Sequence, residues 1–442
     1  MLFTFIQLVY SVLLYVFFII TLPYFVVKVL TTKKYRSGIW RRLGFLSKES
    51  KEAFALGNTI WVHAVSVGEV QAALPLIERL KTVYPEKRFM LSVTTLTGNT
   101  VASKATAGDP RVTVMYFPID FWHIFNHIFR SYSIDLIILI ETELWPNLLM
   151  EAYVYRVPVI MANGRISAGS LRGYYPIRLF LRQCMRSIAW FCMQNDESAQ
   201  RLRRLGIDDE CITVCGNIKY EALLTLPVDR NIGSQLMRNA SWSDNDLVWV
   251  VGSTHQGEED MIASAYCELI RTVPNLKLLI APRHPERLDE AETILKSHGI
   301  KLYRKTALDS CLSPVQDCRV VLLDTMGELR HLYDIATVAF VGKSMVSPGG
   351  GQNLLEPASL AKPVVFGQYM SNFTDITDKF ISAQAGVMVH TQQELVEQTR
   401  RILTDTAYRC QLGERAKKEV QRWQGATDCI LSCITDILPV NA

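Results

Sequence analysis

The chain of 442 residues has no Gly-x-Gly-x-x-Gly run after a strand, no Walker loop and no Gly-x-Ser-x-Gly elbow. Those absences disfavour a nicotinamide or flavin enzyme, a P-loop nucleotidase and an α/β-hydrolase in turn. Net charge is also scarce: 47 basic against 43 acidic residues leave +4, too little for a nucleic-acid partner. The ten cysteines, at 184, 192, 211, 215, 267, 311, 318, 410, 429 and 433, include no C-x-x-C pair. Neither a zinc site nor a disulfide frame is therefore expected, and reduced structural thiols are. The fourth absence is local, because residues 1–27 contain no Asp, Glu, Lys or Arg. That run exceeds the roughly 20 apolar residues that cross a bilayer. Lys28, Lys33, Lys34, Arg36, Arg41 and Arg42 follow it, whereas a cleaved signal would carry its positive charge first and end in small residues. The reading is an uncleaved anchor over 1–30, lying outside both cores, with the body of the protein in the cytoplasm; a segment dipping into one leaflet is the alternative, and Pro23 is a point of kinking.

What is present is a rhythm. After a basic and polar linker over 31–57, short apolar runs at 60–65, 89–93, 112–116, 136–140, 157–161 and 190–193 alternate with helical patterns. That alternation predicts βαβ units and a parallel sheet over 58–220. A mixed polar stretch over 221–246 reads as a connection. Strand patterns resume at 247–251, 276–280, 320–323, 338–341 and 364–366, predicting a second such domain over 247–400. Helices over 401–442 are expected to pack back across the first domain. The fold class is therefore α/β, two tandem Rossmann-like domains behind an N-terminal anchor helix.

Polar and glycine-bearing residues gather after the strands, where open α/β sheets bind ligands. In the first half, Ile60-Trp-Val-His-Ala-Val-Ser-Val-Gly-Glu69 runs from a strand into a turn and delivers Glu69 to the first turn of a helix. An acidic residue there is also an ordinary dipole partner. Glu141-Thr-Glu143 follows the most apolar strand, Asn163-Gly-Arg165 the next, and Lys219 stands where the sheet meets the linker; Glu143, Arg165 and Lys219, each alone, fit surface charges as well. In the second half, Gly349-Gly-Gly351 before Gln352-Asn353 suggests free backbone N–H groups for a phosphate. Arg283 offers a fork to the same anion, Ser253 and Thr254 offer hydroxyls, and Glu328 and Glu356 suit ribose hydroxyls. His123 and His127 share a helix face among aromatics and read as packing, so no metal is expected.

These motifs together resemble the Kdo transferases, glycosyltransferases of the two-Rossmann (GT-B) class that move 3-deoxy-D-manno-octulosonic acid (Kdo) from CMP-Kdo to the lipid A precursor. The resemblance runs through His63-Ala-Val-Ser-Val-Gly-Glu69, Glu141-Thr-Glu-Leu-Trp-Pro-Asn147, Gln194-Asn, Gly216-Asn-Ile-Lys219, Gly252-Ser-Thr-His-Gln-Gly-Glu258, Pro282-Arg-His-Pro-Glu-Arg287, Met326-Gly-Glu328 and Asn353-Leu-Leu-Glu356. It implies an inverting, metal-independent transfer without a cofactor, with Glu69 as general base and Glu141 and Lys219 stabilising the transition state. It implies CMP held by Pro282, Arg283, Met326, Gly327, Glu328, Asn353, Leu354, Leu355 and Glu356. It further implies membrane lipid as a partner and a single-pass place in the inner membrane with the catalytic domains on the cytoplasmic side. The chain departs from the family pattern at Lys343, where glycine is common, at Gly350-Gly-Gln352-Asn353 and around Gly164. The rival readings are a nucleotide-sugar 2-epimerase-like enzyme on the same fold and an anchored protein without catalysis.

Overall fold

The computed structural model describes residues 2–31, 38–225 and 228–440. Lys33, Lys34 and Arg36 of the expected basic linker, and part of the expected connection over 221–246, lie outside them. The chain divides into two compact units, Met1–Ala222 with Gln424–Ala442, and Leu223–Trp423. This differs from the expectation for 401–442. The helices Gln392–Thr404 and Thr406–Gln421 belong to the second unit, and of the C-terminal helices only Ala426–Ile437 belongs to the first.

The first unit holds one parallel sheet of seven strands: β1 (Thr59–Ala64), β2 (Arg88–Val93), β3 (Val112–Tyr116), β4 (Ile134–Ile140), β5 (Val159–Gly164), β6 (Ile188–Met193) and β7 (Ile212–Val214). Runs such as Ile-Asp-Leu-Ile-Ile-Leu-Ile in β4 suit strands buried on both faces, since helices cover both sides of a parallel sheet. Two cores result, one centred on Trp61, Phe125 and Phe191, the other on Val62, Leu76 and Ile138. The strand order is β3-β2-β1-β4-β5-β6-β7, so the winding reverses between β1 and β4. Side by side, His63 on β1 stands level with Ser92 on β2 and Leu139 on β4, bringing their carboxyl ends to one rim.

The second unit repeats the plan with β8 (Leu247–Thr254), β9 (Leu276–Pro282), β10 (Tyr303–Arg304), β11 (Val320–Leu322), β12 (Val338–Val341), β13 (Val364–Gly367) and β14 (Val387–Val389), ordered β10-β11-β9-β8-β12-β13-β14. Here the reversal falls between β8 and β12. All eleven expected strands form. The three unexpected ones, β7, β10 and β14, are two or three residues long, too short for a period to show.

Two expectations need correction. The N-terminal helix, Leu2–Thr31, continues through Pro23, but it does not lie outside both cores. Phe3, Ile6, Leu14, Tyr15 and Phe18 pack against the Trp61 core. Gln7 donates to Glu151 at 2.6 Å, Ser11 to Asn147 at 3.0 Å and Tyr10 to Asp120 at 3.0 Å. Asp120 in turn accepts from the first N–H groups of the helix Pro146–Val154, so the docked segment is joined to a helix cap. The cysteines are also not all free, because Cys215 and Cys429 form a disulfide 214 positions apart. The C-terminal helix brings Cys429 back to the loop after β7, a return that linear spacing does not reveal.

Candidate functional site

In the first unit the chemistry collects where the winding reverses. Ser66 caps the helix Val67–Val83: its Oγ accepts from the Glu69 N–H at 3.4 Å, while the Glu69 carboxylate accepts from the Val65 N–H at 2.7 Å and the Ser66 hydroxyl at 2.8 Å. This reciprocal capping box is a structural task for Glu69. It does not account for the surroundings. Glu69 is only 7% exposed, and burial, reinforced by the negative charge of Glu141, raises its pKa above the usual glutamate value against the lowering pull of its hydrogen bonds and of Lys219.

Glu141 follows β4 with φ of 63°, a left-handed conformation uncommon for a residue with a Cβ, and its N–H is tied to Ala162 O at 2.8 Å. Lys219 forms an ion pair with Glu141. The turn that carries the lysine is built by amides: Asn163, also left-handed at φ 60°, accepts from the Ile218 N–H, Gln194 donates to Asn163 O, and Asn217 donates to Gln194. Gly68 lies beside the lysine, where a Cβ would make ordinary van der Waals contact with its Nζ. The three expected residues therefore come together. Glu143 joins them, its pKa pushed up to about 7 by burial and then by Glu69 and Glu141. The Arg165 side chain is exposed; only its backbone reaches the cluster, through Thr142. His123 pairs with Tyr15 and His127 with Ser131, separate partners that suit packing.

In the second unit Pro282 ends β9 and Arg283 follows it, its N–H bonded to Thr254 O at 3.0 Å. Glu356 sits in the positive field of Arg330 and Arg283, yet burial outweighs that field and raises its pKa. Asn353 shapes the adjoining turn, accepting from the Leu355 N–H at 3.0 Å and donating to Glu356 at 3.3 Å. Leu354 and Leu355 are fully buried, which anchors that turn in the core. Glu328 accepts from Thr325 and pairs with Lys305 at 3.1 Å, while Met326 is 68% exposed beside Gly327 at φ 87°.

Three donors read from the sequence are spent elsewhere. The Gly350 and Gly351 N–H groups donate to the carbonyls of Tyr369 and Lys343, so they are not free for a phosphate. The Thr254 hydroxyl donates to buried Glu259. Lys343 has φ of 59°, the conformation that favours glycine, and its N–H with those of Ser344 and Met345 is clamped by Glu258. Arg330 escaped sequence reading because its signal is only a cation in a short helix, Leu329–Leu332.

Two parallel sheets, each with polar and charged groups after its strands' carboxyl ends, define an α/β protein of two Rossmann-like domains with ligand-binding rims. A solved UDP-GlcNAc 2-epimerase from Neisseria meningitidis has this fold, with a TM-score of 0.59 and 14% identity over 86% of this chain and 99% of that one. The family model for 3-deoxy-D-manno-octulosonic-acid transferases matches residues 37–222. A 3-deoxy-D-manno-octulosonic acid transferase from Haemophilus influenzae is 32% identical over 92% of this chain and 93% of its own length, and one from Bordetella pertussis 31% over 87% and 88%. The chain belongs to the 3-deoxy-D-manno-octulosonic acid transferases, a family of glycosyltransferases.

Proposed function

We propose that the protein transfers Kdo from CMP-Kdo to the lipid A precursor with inversion, and that Glu69 is the general base. The observation that carries this is the meeting of Glu69, Glu141 and Lys219 at the winding reversal of the first sheet. A carboxylate with a raised pKa is a better proton acceptor for the attacking hydroxyl, and such placement contributes ~10²–10⁴-fold in rate. Lys219, paired with Glu141, supplies the positive charge that keeps this acidic cluster ionised and meets negative charge on the acceptor or the donor carboxylate. In the second unit Pro282 and Arg283, Met326 to Glu328, and Asn353 to Glu356 hold CMP. Of these, Arg283 meets the phosphate, and Glu328 and Glu356 accept from ribose hydroxyls.

The N-terminal helix is the membrane contact. It is long and apolar enough to cross a bilayer, and only 11% of its most apolar window is buried. Its neighbours extend the apolar face. Tyr10 meets Phe180 at 5.6 Å between ring centres, and close by Ile177 and Leu179 are exposed among Arg178, Arg182 and Arg186. Such a face suits an anionic inner leaflet on the cytoplasmic side. Mass spectrometry of lipid recovered from purified enzyme, CMP-Kdo and tetra-acylated lipid A precursor tests the reading: mass added as whole Kdo residues supports it. CMP released without lipid acceptor and without lipid product would overturn it in favour of a nucleotide-sugar enzyme of another kind.

A further inference from the structure

Four of the ten cysteines meet at one point of the first unit. Cys192 stands next to the end of β6, Cys215 follows β7, and Cys429 and Cys433 lie one turn apart on the helix Ala426–Ile437, a spacing that puts both on one helix face. The sulfurs of Cys192, Cys215 and Cys433 are all within 4.8 Å of one another, and the Cys429 sulfur, bonded to that of Cys215, stands at the edge of this group. Cys192 is fully buried and Cys433 is 6% exposed, and their thiols hydrogen-bond each other.

We propose that in the reduced protein Cys192, Cys215, Cys429 and Cys433 bind one Zn²⁺ as a closed tetrahedral site. A Zn–S bond of about 2.3 Å sets ligand sulfurs about 3.8 Å apart, a separation that the cluster reaches with small side-chain movements. Four thiolates from three elements complete the coordination without water, as structural zinc requires. An iron–sulfur cluster fits less well, because its ligands bind separate iron atoms and need wider spacing. A disulfide uses two of the sulfurs and leaves two buried thiols packed beside it; the metal uses all four. Opening the Cys215–Cys429 bond takes two electrons from a dithiol reductant, which is itself oxidised to a disulfide, and yields two thiols. Zn²⁺ then displaces the thiol protons to solvent. The consequence reaches the reaction cluster, since Cys215 begins Cys215-Gly-Asn-Ile-Lys219. The metal ties the C-terminal helix to the loop that presents Lys219.

The test uses the full chain in detergent, purified with a phosphine reductant and no chelator. Elemental analysis is expected to find about one zinc per chain, falling at least about tenfold in Cys192→Ser and Cys433→Ser. Replacing the zinc with cobalt should give thiolate-to-metal charge-transfer absorption. Zinc below about a tenth of an equivalent in the reduced wild-type protein overturns the proposal, as does iron in its place. Eight titratable thiols without metal under the same reductant would mean that the Cys215–Cys429 disulfide is the sole tie, and that too overturns it. The wild-type metal content decides the matter even if a variant fails to fold, and it does not depend on Kdo transfer being the activity.

Discussion

Replacing Glu69 by Gln separates its two tasks. As the third helical residue after Ser66, it accepts from the Val65 N–H and the Ser66 hydroxyl. The carboxylate accepts with both oxygens, Oε2 from the Val65 N–H and Oε1 from the Ser66 hydroxyl. Gln keeps one acceptor for the Val65 N–H and turns its NH2 to the Ser66 oxygen, so what is lost is charge assistance, about 1 kcal/mol. Against that stands the raised pKa: burial and Glu141 make the charged form costly, and removing the charge returns part of that cost. The two effects oppose, so the net change in stability is expected within about 1 kcal/mol, or about 2–4 °C in the melting of a unit of this size. Transfer is expected to fall ~10²–10⁴-fold, because a neutral amide takes no proton from the acceptor hydroxyl. CMP affinity, read by calorimetry, is expected to stay at the wild-type value. The assay is radiolabelled Kdo transfer into lipid, run beside thermal unfolding. Near-normal transfer with an intact fold would refute the base assignment and leave Glu141 or Glu143 as the carboxylate to test. A loss of transfer accompanied by a large drop in melting temperature would show that the capping box is the whole role of Glu69.

Arg283→Ala is expected to weaken CMP binding by about 1.5–3 kcal/mol through loss of a charge-assisted contact to phosphate; unchanged affinity by titration calorimetry would remove Arg283 from the site. For Glu143 the folded pKa of about 7 lies above the usual 4.5, so the folded state binds more protons between these values and stability falls as pH rises through that window. Glu143→Gln should therefore be more stable than wild type at pH 8, by on the order of 1–3 kcal/mol, with the advantage fading toward pH 4.5 in urea unfolding; an advantage that is constant with pH would contradict the shift. Deleting residues 1–27 removes one hydrogen bond each from Glu151, Asn147 and Asp120, which keep their bonds to Asn126 and within the helix cap. Each loss is therefore worth about 0.5–1.5 kcal/mol, on top of the apolar packing. Circular dichroism melting of the truncated protein should show a destabilised first unit, and an unchanged melting temperature would mean that the helix contributes nothing to the core.

The strands and the first-unit cluster were legible because their signals are local. Apolar runs such as 136–140 mark strands by themselves, and a carboxylate or lysine placed after each such run lands on the rim that strand order creates. Glu69, Glu141 and Lys219 come from the ends of different strands, and topology alone brings them together. Donor groups were harder, because a residue's availability depends on distant partners. The three glycines at 349–351 promise free N–H groups, yet Tyr369 and Lys343 take two of them. Glu258 resembles a site acid in its motif and is committed to three backbone N–H groups of the loop after β12. The cysteines show the same limit, since residues 192, 215, 429 and 433 meet only after the chain has returned from the second unit.

The N-terminal helix concentrates this lesson in one stretch. Its hydropathy is that of a membrane span, and its three anchoring polar residues, Gln7, Tyr10 and Ser11, pass unnoticed in a segment without charge. Their spacing of three and four places them on one helix face, and each finds a buried or part-buried polar partner in the first unit. Packing on that face continues to Phe18. Residues 19–31 remain beyond the docked part, thirteen residues that at 1.5 Å each extend about 20 Å, against about 30 Å of hydrocarbon. While its first half stays docked, the helix has length to enter one leaflet and not to cross two. A single cysteine placed at Thr4, at the end of the helix remote in sequence from the body, in protein lacking its own exposed Cys311 and Cys410, distinguishes these cases. Labelling from the cytoplasmic face alone fits entry into one leaflet, and labelling from the opposite face requires a full crossing with the Gln7, Tyr10 and Ser11 contacts released.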